Sequence, residues 1–120
     1  MISRAVLDVF MEGLPDIPIS CLVDSGALFN RFSDRYAEWA GIDLNDAEVS
    51  SPFAVGGKSY EGRTCRVSLS VGEFSWEAEV CFVSEWSNDF QLLGQEGFFR
   101  FFDVCFSAAE EYFDFRPARR

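Results

Sequence analysis

From Val67 to Phe82 the chain alternates apolar and polar residues, and this pattern restricts the fold more than any other feature. Val67, Leu69 and Val71 make one series; Phe74, Trp76, Ala78, Val80 and Phe82 make a second. Successive side chains of a strand point to opposite faces, so each series describes a strand with one buried face. Gly72-Glu73 between them suits a type II′ turn, which favours glycine at its first central position. The centre of the chain is thus a long hairpin, and the flanking segments must complete its sheet.

Residues 5–11 read as a first strand, followed by a turn at Pro15 and Pro18. Residues 19–23 form a short apolar run that ends on a charge, Asp24. Ser33 is placed to cap a short helix running to Ala40, with Gly41 to end it. Gly56-Gly57, within residues 54–58, suits the tip of a second hairpin. Residues 84–90 read as a polar loop containing Trp86, residues 91–94 as an apolar run closed by Gly94, and residues 95–101 as a short helix. Strands over 104–106 and 112–115 finish the chain, and a basic tail over 116–120 is expected to fray. With no repeat, linker or low-complexity stretch, one domain is expected over residues 1–120.

Composition narrows the chemistry. Of 120 residues 48% are apolar and 14 are Phe, enough for a core and for surplus aromatic surface of the kind that marks an oligomer interface. A formal charge of −10 argues against a nucleic-acid partner, which needs clustered Lys and Arg, and against docking on an anionic membrane. No segment has the length of a membrane span and none has the order of a secretory signal. Cys21, Cys65, Cys81 and Cys105 form no Cys-x-x-Cys pair, so free thiols in a reducing cytoplasm are expected, with neither metal nor cofactor. Asp43-Leu44-Asn45-Asp46 lacks the spacing and glycine of a calcium loop and reads as solvated. Histidine is absent, which removes Ser-His-Asp, Cys-His and His-metal catalysis together. Carboxylates are the proton-transfer groups that remain.

Three segments then acquire meaning together: an apolar strand ending in Asp24-Ser25-Gly26-Ala27, the Gly56-Gly57 hairpin, and Leu92-Leu93-Gly94 leading into a helix. In this order they resemble the retropepsin-like aspartic peptidases, single-domain relatives of pepsin. The resemblance extends through Leu93-Gly94-Gln95-Glu96-Gly97-Phe98-Phe99 to Phe102-Asp103-Val104. It implies a mainly β, acid-protease barrel with one or two short helices, working as a two-fold symmetric homodimer. It also implies that Asp24 is catalytic, with Ser25, Gly26 and Ala27 bracing its loop and Leu92, Leu93 and Gly94 packing beneath it. A flap hairpin around 53–64 would carry Val55, Gly56, Gly57 and Lys58 at its tip. Tyr60 is expected as a half-buried strand residue, Leu28 and Val55 as pocket lining, and Phe98, Phe99, Phe101 and Phe102 as core or dimer contacts.

The chemistry requires two carboxylates that share one proton, because neighbouring like charges cannot both ionise comfortably. The chain has a single Asp-Ser-Gly triplet, so the second carboxylate must come from a second copy related by a two-fold axis. The expected function is an aspartic endopeptidase acting on a peptide or protein substrate. Two other readings fit the same residues: a catalytically weak or inactive module of this fold that dimerises or binds peptides, and a plain acidic β-barrel interaction protein that stays monomeric.

Overall fold

The computed structural model describes residues 5–107 and 112–118. The central hairpin is longer than its alternation alone predicts: β7 (Gly62–Val71) and β8 (Phe74–Val83) pair antiparallel from Gly62↔Val83 to Val71↔Phe74. At its turn Gly72 has φ 55° and Glu73 is not among the positive-φ residues, as a type II′ turn requires.

Around this hairpin the sheet closes on itself. The first strand, β1 (Val6–Met11), is followed by β2 (Leu14–Val23), then β3 (Asn30–Ser33), helix α1 (Asp34–Ala40) and the two-residue β4 (Glu48–Val49). Before the central hairpin come β5 (Phe53–Val55) and β6 (Lys58–Tyr60), and after it β9 (Gln91–Leu93). The order β1-β2-β9-β3-β8-β7 with an added β1–β7 pairing makes a six-stranded barrel, and β4 extends it beside β7. Closure removes the exposed edges that an open sheet would present. Two pairings in the circuit are parallel, β2 with β9 and β3 with β8.

The alternation sorts side chains into two clusters. Val9, Ile19, Val67, Leu69, Val80, Phe82 and Leu93 point into the barrel with Phe32 and Phe98, all at most 2% exposed. Their neighbours point outward, where Ala27, Tyr60, Cys81, Val83, Trp86 and Leu92 form a second buried cluster. That cluster lies under the β5–β6 hairpin, since the half-buried Phe53 and Val55 pack on it.

Helix α1 starts and stops as its sequence dictates: the Ser33 side chain accepts from the Arg35 N–H, and Gly41 takes the left-handed conformation at φ 75°. Other expectations need correction. The first turn falls at Glu12-Gly13, and Pro15 and Pro18 lie inside β2. The register slips between Val9↔Ile19 and Met11↔Leu14, so the residues between bow out of the ladder where a missing N–H costs nothing. The helix expected over 95–101 is one π-helical turn, Gln95–Phe99, with Phe99 and Arg100 donating five residues back to Gly94 and Gln95. The basic tail is partly ordered, because β10 (Phe102–Ser107) pairs with β11 (Tyr112–Pro117) as far as Phe102↔Pro117. Arg119 and Arg120 lie outside the described residues. Phe98 and Phe102 are buried in the barrel core, with Phe99 and Phe101 half-buried against it.

Candidate active site

Strands β2 and β9 run side by side as Cys21↔Gln91, Leu22↔Leu92 and Val23↔Leu93, and both end together. Beyond that point the chains diverge, and the first residue free of the ladder is Asp24. Its N–H still donates to the Leu93 carbonyl (2.9 Å). Its carboxylate accepts the Gly26 N–H at Oδ1 (2.9 Å), and its carbonyl accepts the Ala27 N–H (3.1 Å). The result is a tight turn that stands the half-buried carboxylate at the end of an apolar strand, between the buried Val23 and Ala27 and beside the exposed Ser25 and Gly26.

The segment after β9 clasps this turn from behind. The Gln95 N–H donates to the Ala27 carbonyl (2.9 Å) and the Glu96 N–H to the Leu28 carbonyl (2.8 Å). The Gln95 side chain donates from Nε2 to the Ser25 carbonyl (2.8 Å). Gly94 lies so close that a Cβ would stand 2.6 Å from the Ala27 oxygen and 2.7 Å from that of Phe29, so only glycine fits there.

Asn30 fastens the clasp to the barrel. Fully buried at 0% exposure, it accepts the Gly94 N–H at Oδ1 (3.0 Å) and donates from Nδ2 to the Gly97 carbonyl (3.1 Å). The same carbonyl accepts the Trp76 indole N–H (2.8 Å). Gly97 leaves room for this amide, because any Cβ would overlap Asn30. A buried polar group that satisfies both its ends is structurally decisive, since neither partner can turn to water.

The outer face of the barrel forms a floor leading away from Asp24. Reading across the ladders, Leu22, Leu92, Arg31, Cys81, Thr64 and Glu48 stand in register, one per strand. Over this floor the β5–β6 hairpin turns at Gly56-Gly57, with φ 59° and 81° and Val55↔Lys58 as its closing pair. Two positive φ values in a two-residue loop are the signature of a type I′ turn and explain the glycine pair. The hairpin is anchored at its base, where Tyr60 packs on Trp86 (5.0 Å between ring centroids) and its hydroxyl meets Ser87 Oγ (3.0 Å). At the tip, Lys58 Nζ reaches the Glu85 carbonyl at 3.5 Å. Tyr60 is buried at 4%, more deeply than a half-buried strand residue.

The expected site residues therefore fall into two groups. Asp24, Ser25, Gly26, Ala27, Leu92, Leu93 and Gly94 converge on one turn, with Leu92 facing the outer cluster beside Ala27 and Leu93 facing the barrel core. Val55, Gly56, Gly57 and Lys58 form the hairpin tip. Leu28 is 52% exposed and lines a cavity of about 310 Å³ on the far side of the turn. Three participants escaped the sequence: Asn30, Arg31 and the side chain of Gln95. The first two sit in β3, too short for a periodicity to show. No group of three or more metal-ligating side chains forms among the described residues.

No protein-family profile and no curated protein matches this sequence. Solved structures do. A retropepsin-like aspartic protease from Rickettsia conorii is 17% identical over 88% of this chain and 90% of its own, with a TM-score of 0.61. The retroviral protease-like domain of Ddi1 from Leishmania major is 16% identical over 84% of this chain and 79% of its own, with a TM-score of 0.59. The likeness is one of shape over nearly the whole chain: this is the retropepsin-like fold.

Proposed function

We propose that residues 1–120 are one domain and that two copies of it form an aspartic endopeptidase in which the two Asp24 side chains share a proton. The observation that carries this reading is the position of Asp24: a carboxylate lifted off the end of an apolar strand by a backbone clasp, at the end of a floor over which a glycine-tipped hairpin turns, in a retropepsin-like fold. Support for pairing comes from the residues that follow. Leu28 and Phe29 are 52% and 39% exposed directly beside the turn, apolar surface that a second copy covers. A reducing, cytoplasmic setting belongs to the same proposal, and four free thiols are in keeping with it.

The chemistry follows from two carboxylates that cannot both ionise. The ionised Asp24 takes a proton from a water as the water oxygen bonds to the scissile carbonyl carbon. The protonated Asp24 of the other copy gives its proton to the carbonyl oxygen. The tetrahedral diol then collapses: one hydroxyl returns its proton to the ionised carboxylate as the C=O bond reforms, the C–N bond breaks, the nitrogen takes a proton from the other carboxyl group, and an acid and an amine leave with one proton again shared by the pair. Ser25 stands next to each carboxylate and braces it against the other copy. The hairpin acts as a flap that closes over an extended peptide and excludes bulk water.

Asp24→Asn tests this directly, since it keeps the shape and removes the shared proton. Against a diverse peptide library the wild type is expected to cleave with a bell-shaped pH profile, and the variant to lose at least about a thousandfold in kcat/KM. Equal rates for the two proteins at every pH from acid to neutral defeat the peptidase reading. Peptide binding with no turnover would then identify a non-hydrolytic module.

A further inference from the structure

The floor beside Asp24 contains a cation that the proposed reaction does not use. Arg31 is the third of the six residues in the cross-barrel row, flanked by Leu92 on one side and Cys81 on the other. Its guanidinium carbon lies 4.0 Å from the ring centroid of Phe53, at the base of the glycine-tipped hairpin. Among the described residues it has no hydrogen bond and no ion pair: the salt bridges there are Arg100 with Glu96 and Arg116 with Asp103. A guanidinium carries five N–H donors, and one held half-buried with none engaged by protein is set up for an external acceptor.

Its surroundings fit that part. Arg31, Phe29, Phe53 and Cys81 line a cavity of about 360 Å³ between the hairpin base and the loop before it. Burial lowers the affinity of the guanidinium for its proton, and Cys81 and Asp24 offset part of that effect. Glu48 and Glu79 also border the cavity, but both are exposed and neither lies within ion-pair distance of Arg31. The contact with the Phe53 ring holds the guanidinium carbon over an aromatic face and leaves its N–H donors to a ligand.

We infer that Arg31 is a specificity-determining residue that receives a carboxylate of the bound peptide in the cavity at the base of the β5–β6 hairpin. The inference rests on the proposed peptide-binding cleft but not on turnover. The carboxylate can come from an acidic side chain or from a chain terminus, and the two are separable. A single half-buried guanidinium discriminates against the uncharged amide, which offers its N–H donors no charged acceptor.

The test reads binding in the Asp24→Asn protein, so it stands apart from the question of cleavage. Fluorescently labelled peptides with both ends blocked are compared by anisotropy in twin pairs that differ only as Glu against Gln. A third set carries a free or an amidated C-terminus. The acidic member of a pair is expected to bind about tenfold tighter, the scale of one charge-assisted hydrogen bond. Adding Arg31→Met should abolish that difference, and adding Arg31→Lys should retain part of it, with thermal melting confirming that each variant folds. A preference confined to free termini assigns the site to the chain end, and one confined to side chains assigns it to an internal residue. Equal binding of the twins, a preference that survives Arg31→Met, or no binding of any peptide overturns the inference. A wild type that cleaves without acidic preference does so too, while leaving the peptidase reading intact.

Discussion

At the scale of single residues, Asn30 has the greatest leverage. It joins Gly94 to Gly97 through one side chain, and both partners lie more than sixty positions along the chain, at separations of 64 and 67. Asn30→Ala strands a buried N–H and weakens a shared carbonyl, so urea unfolding should show a loss of about 2–4 kcal/mol. Asn30→Asp should cost more, because its second oxygen would face the Gly97 carbonyl. Such a residue is illegible in one dimension: an asparagine between Phe29 and Arg31 looks like a turn residue until the topology brings two glycines to it. Asp24 was legible for the opposite reason, since its strand, its turn and its charge are contiguous. Cys21 carries a second residue-scale consequence. Burial, and secondarily the charge of Asp8, pushes its thiol well above the ordinary value of 9.0. The unfolded chain ionises there first, so stability is unaffected below about pH 9 and falls above it, by about 1.4 kcal/mol per pH unit from this group. Denaturant midpoints between pH 8 and 10.5 should decline less steeply in Cys21→Ala.

At the scale of elements, what the sequence revealed depended on length. Alternation marks residues 67–71 of β7 and 74–82 of β8 but not the first half of β7, whereas the two-residue β4 and four-residue β3 leave no periodic trace. The prolines misled in β2 because a proline signals a turn only where the strand needs its N–H, and here the chain bows out between Ile19 and Leu14. The clasp behind the Asp24 turn is hidden in the sequence because Gln95 and Glu96 act mainly through main-chain N–H groups, which no residue type advertises. The β5–β6 hairpin invites an element-scale prediction. It forms its own two-stranded sheet and its tip glycines have open space around them, so Gly57→Ala meets only the backbone penalty at φ 81°. That penalty is about 1–2 kcal/mol and local. Global melting should hardly move, while kcat/KM should fall, and a variant that melts several degrees lower with unchanged turnover would show the hairpin to be structural.

At the scale of the whole molecule, the formal charge of −10 sets the terms of association. In the proposed dimer two copies would double that charge around a shared site, so mutual repulsion would weaken pairing at low salt and neutral pH. Sedimentation at several protein concentrations should show a dimer that tightens from about 20 mM to about 500 mM salt, where the screening length falls well below the width of the contact. A pairing constant indifferent to salt would mean that charge plays no part, and a monomer throughout would favour the interaction-protein reading. The clasp behind Asp24 has a last consequence on this scale. Its bonds from Asp24, Gln95 and Glu96 run amide to carbonyl, and steric demand concentrates on Gly94 and Gly97. Most side chains around the turn can then be exchanged without moving the carboxylate, so a chain of this design can drift far in spelling while its architecture stands still. That freedom lets a shape be shared with a protein that is only 17% identical in sequence.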